Sequence, residues 1–382
     1  LTQWLTQCLN THRGCIVEGA SDNWLPTRLI DVGEVDCERE PRLVISSTET
    51  IEPREARYLT LSHRWGSLSM PKLLSNNLEN MKQRIVLSNL PQTFQEAIYI
   101  TKKLRIRYIW IDSLCIVQNN EEDWLQEAAL MGKVYERGLC NIAATASAEE
   151  IGAMFVERDP ALNSSILLTI ASQKHMQTCY CVTSRLWEKM VCQAQLNQRG
   201  WVLQERVLSS RTIHFASQLF WECCEFQACE TYPGGIPTSE LRPDPPSGLK
   251  ALVRPRLSLG TSQESVHLHQ AWKYLVEAYS LCKLTVTSDK LLAISGIARQ
   301  IARPLGDEYL AGVWKGDLAR ELLWAVPYHP DSGNPASILE GPQRFRPKEY
   351  RAPSWSWASL DFIHGYIKVS GFLMKTPELS EI

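Results

Sequence analysis

The side chains best suited to chemistry follow two short apolar runs, 58–62 and 106–111. They are His63, Arg64 and Trp65 after the first run and Asp112, Ser113 and Cys115 after the second. His63 can act as an acid or base near neutral pH, or it can be a hydrogen-bonded core histidine. Arg64 can hold a phosphate or carboxylate through two hydrogen bonds, and Trp65 can stack on a base or pack in a core. Asp112 can bind ribose hydroxyls or stabilise a developing cation, or it can cap a turn or helix.

A second polar group lies in the segment 199–206, which reads RGWVLQER. Arg199 and Glu205 are predicted to form a buried ion pair that braces the site, and Glu205 is also a candidate catalytic carboxylate. Trp201 and Gln204 are candidates, with Arg199, for contact with a substrate.

Glu127 is a further candidate catalytic carboxylate. It lies about 60° from Trp124 around its predicted helix, at the rim of the apolar stripe. It either faces a substrate or forms a salt bridge with an arginine of the segment 199–215.

The twelve cysteines are predicted to be mostly buried, reduced thiols, and no metal site is expected. Cys115 and His63 could form a nucleophile and base pair, but nothing in the sequence brings them together. Two cysteine groups are candidate zinc ligands, and neither has the repeated C-x-x-C spacing. They are Cys223, Cys224 and Cys229, and Cys179 and Cys181. No P-loop motif and no strand-linked G-x-G-x-x-G motif occurs.

The elements that position these residues alternate strand, helix, strand, helix, strand over 58–147. Thr93 with Glu96 predicts a capping box for the first helix, and Asn120 predicts the cap of the second. This alternation predicts a parallel α/β sheet, whose ligands bind beyond the carboxyl ends of the strands. The segments 62–66, 112–115 and 145–147 should therefore meet at one edge.

Composition sets the outer limits. The chain has 382 residues, 44% hydrophobic and 21% charged, with a formal net charge of −2. These values are ordinary for a globular protein and argue against broad nucleic-acid binding. No apolar run approaches the roughly 18 residues of a membrane-spanning helix, so we expect no membrane contact and a cytoplasmic location.

Several long blocks, in order, resemble the heterokaryon-incompatibility (HET) domain of filamentous fungi. They are YLTLSHRWG (58–66), LPQTFQEAI (90–98), IRYIWIDSLCIVQ (106–118), DWLQEAALMGKVY (123–135), NIAATAS (141–147) and RGWVLQERVLSSRTIHF (199–215). Blocks over 218–361 resemble the C-terminal region that often follows this domain. The resemblance implies a TIR-like core and a role in self/non-self recognition and cell death. It also implies, through TIR relatives, cleavage of NAD by a carboxylate set against the ribose.

The expected fold is therefore α/β, a TIR-like parallel sheet flanked by helices, with an elaborated mixed α+β C-terminal region. The expected parts are an entry segment (1–57), the HET domain (58–206) and the C-terminal region (207–382). Three functions remain open: an incompatibility-type effector that hydrolyses NAD or a related nucleotide, an enzyme of small-metabolite biosynthesis, and a non-enzymatic module that signals by self-association. In the first, Asp112 and Glu127 face the ribose, with NAD as substrate and no cofactor required. Homo-oligomer formation is expected for the third.

Overall fold

The computed structural model divides into two compact units, Leu1–Arg254 and Pro255–Ile382. It describes residues 1–16, 24–35, 39–52, 56–65, 70–146, 152–157, 166–172, 175–181, 185–241, 248–253, 261–327, 343–363 and 365–369. The first unit extends past residue 206, where the sequence predicts that the family domain ends. The division into units does not test that boundary, which stays a prediction.

The first unit is built on an eight-stranded sheet, with a separate hairpin formed by β6 and β7. Its strands are β1 (Arg28–Asp31), β2 (Arg42–Ile45), β3 (Tyr58–Ser62), β4 (Tyr108–Trp110), β5 (Cys140–Ala143), β6 (Ile166–Ser172), β7 (His175–Cys181), β8 (Arg211–Phe215), β9 (Leu219–Cys223) and β10 (Gln227–Cys229). The order across the sheet is β10-β9-β8-β5-β3-β4-β1-β2.

Four parallel strands, β8, β5, β3 and β4, form the centre of this sheet. Every residue of these four strands is buried, as expected for parallel strands that are covered on both faces. Antiparallel strands extend both edges, with β1 and β2 beyond β4, and β9 and β10 beyond β8. The α/β class is confirmed, and the sheet as a whole is mixed.

The parallel strands follow the order of doubly wound, flavodoxin-like folds. Counted along the chain, their spatial order is second, first, third, fourth. The chain therefore changes direction between β3 and β5, where such folds bind their ligands.

The first unit also contains helices and one π-helical turn. They are α1 (Thr2–Thr11), α2 (Leu78–Gln83), α3 (Gln92–Lys103), α4 (Asp112–Cys115), α5 (Glu121–Arg137), α6 (Gly200–Leu208) and α7 (Gly248–Leu252), with a π-helical turn at Glu188–Cys192. The Asn120 cap of α5 is confirmed, because its side-chain oxygen accepts a hydrogen bond from the Asp123 amide at 3.1 Å.

The predicted capping box of α3 is wrong. The helix begins after Pro91, and no side chain caps it. Thr93 donates to the Gly152 carbonyl at 2.6 Å, and the Glu96 carboxylate accepts from the Met154 amide at 2.6 Å. Both side chains bind a segment that is distant in sequence, so tertiary contacts override the local signal.

The second unit combines helices with small two-stranded sheets. Its elements are α8 (Thr261–Ser280), α9 (Ser295–Leu305), α10 (Leu318–Glu321), β11 (Tyr309–Leu310), β12 (Val313–Trp314), β13 (Trp324–Ala325), β14 (Gln343–Phe345), β15 (Asp361–Ile363) and β16 (Lys368–Val369). The indoles of Trp272 and Trp357 both donate to the Gly312 carbonyl, at 3.0 and 2.8 Å. Gly312 has a φ of +108°, and a Cβ there would lie 2.7 Å from the Trp357 indole nitrogen, so only glycine fits.

Among the described residues, no helix is long and apolar enough to cross a membrane.

Candidate active site

The candidate site lies at the carboxyl ends of β3 and β5, where the chain changes direction. Ser62 ends β3 beside Ala143 of β5, and the Ala144 amide donates to the Ser62 carbonyl at 3.0 Å. The 62–65 and 112–115 segments meet here as predicted, through the hydrogen bond from Trp65 Nε1 to Asp112 Oδ2 at 2.7 Å. Gly66 and Ser147, which end two of the predicted segments, lie outside the described residues.

Glu205 reaches this edge from α6 and is the most perturbed acid of the site. Its carboxylate accepts a hydrogen bond from Ser62 Oγ, which in turn accepts one from Asn141 Nδ2 at 2.9 Å. Burial raises the pKa of Glu205 to about 7, and the nearby Asp112 charge adds to this effect. Hydrogen bonds from Ser62 and Tyr135 oppose the rise, so burial dominates. A carboxyl with such a pKa can exchange a proton at neutral pH.

Asp112 sits at the start of α4 and binds two donors. Oδ1 accepts from the Ser113 amide at 2.7 Å, and Oδ2 accepts from the Trp65 indole. Its side chain keeps 23% exposure, so free lone pairs face solvent. Asp112 therefore holds the Ser113 amide in the first turn of α4, without capping the helix, and is a carboxylate partly open to a ligand.

His63 is buried and unsatisfied. Neither ring nitrogen has a partner with good hydrogen-bond geometry within the described parts of the chain, although the Leu61 backbone lies close enough to raise the pKa of the ring. Nε2 lies 3.7 Å from Asp112 Oδ1, and the ring packs edge-on to Phe94 at 4.8 Å between centroids. Burial lowers the pKa of His63 despite the Asp112 charge, so the imidazole is neutral at physiological pH. Buried polar atoms are nearly always paired, and an unpaired histidine beside a cleft indicates a group that awaits a ligand or water.

A small cleft opens beside His63. Its volume is about 10 Å³, room for about one water molecule. Its lining is His63, Arg64, Met70, Pro91, Thr93, Phe94 and Ala144.

Two arginines flank the site, and neither pairs with Glu205. Arg64 is half-buried on the cleft wall and donates to Gln195 Oε1 at 2.6 Å. Arg199 donates to the His63 carbonyl at 2.7 Å, so the predicted hydrogen-bonded ion pair with Glu205 does not form. The Arg199 charge still acts at a distance to lower the pKa of Glu205. Its guanidinium fixes the backbone at His63 instead.

Glu127 makes no hydrogen bond to this group, although its charge helps to raise the pKa of Cys115. Burial raises its pKa, while a hydrogen bond from Thr27 and the charge of Arg28 lower it. Arg28 itself pairs with Asp123, with Nη1 3.1 Å from Oδ2. Glu127 therefore belongs to a cluster at the start of β1, and the arginine beside it comes from β1 rather than from the segment 199–215.

The remaining predicted residues are buried or half-buried near the site. Burial raises the pKa of Cys115 to about 12, which argues against a thiolate nucleophile paired with His63. The Ser113 hydroxyl is buried without a hydrogen-bond partner among the described residues. Trp201 is half-buried and Gln204 is buried on α6, one residue before Glu205.

Sequence reasoning missed a buried ionic cluster next to the site. Arg206, which follows Glu205, donates to both oxygens of Glu222 at 2.8 and 3.0 Å. His214 and Lys250 also approach Glu222 Oε2, at 3.4 and 4.0 Å. Burial works against the Glu222 charge, yet the neighbouring cations hold its pKa well below its usual range. Charged and polar residues inside apolar strands, such as Glu222 in LFWEC, were the available signal.

The comparisons with known proteins give one family. The model described as "Heterokaryon incompatibility protein (HET)" matches residues 58–205. This span contains β3 to β5, most of α6 and Glu205, and thus the whole candidate site apart from the cluster around Glu222. No curated protein and no solved structure matches the chain.

Proposed function

Residues 58–205 are a HET domain, and from this premise we propose that the protein is an incompatibility-type effector of cell death that hydrolyses NAD or a related nucleotide. The observation that carries the proposal is the buried Glu205 carboxyl with a pKa of about 7. It lies where doubly wound sheets bind ligands, and its hydrogen-bond partner Ser62 directly precedes a histidine with two unsatisfied nitrogens.

The proposed reaction breaks the bond between the ribose C1′ and the nicotinamide nitrogen. The electron pair of this bond passes to the nicotinamide ring and neutralises its positive charge, leaving an oxocarbenium-like sugar. A water molecule adds to C1′, and its proton passes to the Glu205 carboxylate. The Asp112 carboxylate stabilises the positive sugar. No cofactor is required, since NAD is the substrate.

The basic and aromatic side chains beside the carboxylates support a nucleotide. Arg64 lies on the cleft wall and can bind phosphate. The Lys72 ammonium lies 5.4 Å from the centre of the Trp65 ring, so a second cation and an aromatic face stand next to Asp112. In this proposal Trp65 stacks on the base, and the neutral His63 hydrogen-bonds the substrate.

A specific observation favours a second candidate, a non-enzymatic module that signals by self-association. Asp112 and Glu127 both have structural partners, and the cleft of about 10 Å³ is far below the few hundred Å³ of a typical ligand pocket. Hydrolysis therefore requires the cleft to widen. A metabolite-specific enzyme with a closed, Trp-rich pocket is less favoured, because none of the described cleft-lining residues is tryptophan.

The test is nicotinamide release from NAD by the purified full chain, with Glu205→Gln and Glu127→Gln compared. Glu205→Gln should slow release by about 100-fold or more, because it removes a general base. Glu127→Gln is the matched control, an isosteric change of a buried glutamate that lies outside the Glu205 group, and it should leave release within a few-fold of wild type.

Two results would overturn the proposal. Loss of release in Glu127→Gln but not in Glu205→Gln would move the chemistry to the other carboxylate. Absence of release from wild type, together with concentration-dependent association in sedimentation, would establish the self-association candidate instead.

A further inference from the structure

A second constellation, made of three cysteines and one histidine, lies at the N-terminal segment of the first unit. The donor atoms of Cys8, His12, Cys15 and Cys223 all lie within 4.8 Å of one another. His12 Nδ1 is 3.3 Å from Cys223 Sγ. The three cysteines are buried, and none is in a disulfide.

We propose that these four side chains bind a zinc ion, so that the expectation of no metal does not hold for this protein. Zinc prefers four tetrahedral sulfur and nitrogen ligands, with Zn–S near 2.3 Å and Zn–N near 2.0 Å. Ligand atoms in such a site are separated by about 3 to 4 Å. The observed spacing needs a contraction of at most about 1 Å to reach this geometry.

The local structure explains how a short segment supplies three ligands. Cys8 and His12 are four residues apart, and α1 places them one turn apart on the same side. The chain then enters a short 3₁₀ turn, Arg13–Cys15, which brings Cys15 back towards them. Cys223, the last residue of β9, completes the set. The spacing C-x-x-x-H-x-x-C is not a C-x-x-C pair, and its fourth ligand lies far along the chain, which is why the sequence did not reveal it.

Arg211 supplies an independent argument from charge. This buried arginine donates from Nε to Cys8 Sγ at 3.1 Å and from Nη2 to the Cys15 carbonyl at 3.2 Å. Its third hydrogen bond goes to the Leu139 carbonyl. None of these described partners is a carboxylate, so with neutral thiols the guanidinium charge would lack a formal counter-charge in its contacts.

Zinc removes this imbalance. A zinc ion with three thiolates and one neutral imidazole carries a net charge of about −1, which a single guanidinium neutralises. Hydrogen bonds from such outer groups to ligand sulfurs are a regular feature of zinc sites. The Arg211 contact is therefore what a thiolate-rich metal centre requires and what a cluster of thiols does not.

The site has four protein ligands and no open position, which is the arrangement of a structural zinc. It would fix α1 and the following turn against β9, at the antiparallel side of the sheet. Of the other candidate cysteines, Cys224 lies beside Cys15 but is not among the four residues whose donor atoms all lie within 4.8 Å of one another. Cys229 lies in an apolar cluster with Trp187 and Phe220, and the side chains of Cys179 and Cys181 lie outside the described part.

The experiment is metal analysis of the full chain purified without chelator. We expect about one zinc per chain, released by a mercurial thiol reagent and replaceable by cobalt with a thiolate charge-transfer band. His12→Ala should lose the metal, while His12→Cys should retain it, because four thiolates also bind zinc. Cys229→Ser is the matched control and should keep full occupancy.

Stability provides a readout that does not depend on a variant folding. A strong chelator should lower the thermal midpoint of wild type, and added zinc should restore it. Folded, reduced wild type that carries no zinc and takes up none would overturn the proposal, as would a disulfide between any two of the three cysteines. Because this outcome is read from metal content, it is independent of NAD hydrolysis.

Discussion

Replacing Glu205 by glutamine should stabilise the protein at alkaline pH, although it removes the proposed catalytic group. The pKa of Glu205 rises from an ordinary 4.5 to about 7 in the folded protein. Because one pKa unit corresponds to about 1.4 kcal/mol, ionising this buried carboxyl costs the fold about 3 kcal/mol. Because folding raises the pKa of Glu205, the protonated carboxyl favours the folded state. The stability that protonation of Glu205 contributes is fully present below about pH 4.5 and is lost as pH rises through about 7.

The assay is urea unfolding of wild type and Glu205→Gln at a series of pH values between about 5 and 8.5. Glutamine does not ionise, so the free energy of unfolding of the variant should increase relative to that of wild type as pH rises across this range. The increase should reach up to about 3 kcal/mol, most of it below about pH 7. Other groups titrate in both proteins and cancel in the difference. A difference between the two proteins that does not change with pH would refute the reasoning, because it would mean that Glu205 ionises in the fold as easily as in water.

Three further predictions concern stability, each measured by urea unfolding. Glu222→Gln should lower the free energy of unfolding by about 3 to 5 kcal/mol, because it leaves the Arg206 guanidinium buried without its counter-charge. Glu79→Gln, at an exposed ion pair, should lower it by less than about 1 kcal/mol. Equal losses in the two variants would contradict this prediction. Asn120→Ala should cost about 1 kcal/mol through loss of the α5 cap, and an unchanged midpoint would show that the cap contributes nothing. Gly312→Ala should cost about 1 to 3 kcal/mol, from its positive φ and a clash with a buried indole, and a neutral result would contradict the close approach.

The sequence was most informative where the signal is local or repeats regularly. The alternation of strands and helices over 58–147 predicted β3, α3, β4, α5 and β5, and Asn120 capped α5 as expected. The antiparallel edge formed by β1 and β2 was not foreseen, because these strands lie before the alternating region and β1 pairs with β4 through long-range contacts.

The candidate site could be predicted only in part. The rule that ligands lie beyond parallel strands gave the location of His63 and Asp112, and their neighbourhood is confirmed. The environment of the glutamates could not be predicted. Ser62 contacts Glu205 across 143 residues of sequence, and only the packed fold shows that this carboxyl, rather than Glu127, joins the site. The Thr93 and Glu96 capping box failed for the same reason, since both side chains serve a distant segment.

The central claim, that Glu205 is the acid–base group of a nucleotide-cleaving HET domain, is tested most directly by the pH dependence of nicotinamide release from NAD. In wild type the rate should rise as pH increases through about 7, because only the ionised Glu205 can accept the proton of water. In Glu205→Gln the rate should be lower than that of wild type by about 100-fold or more, and it should not rise with pH in this way. A wild-type rate that is zero at every pH, or a profile that the substitution leaves unchanged, would contradict the account.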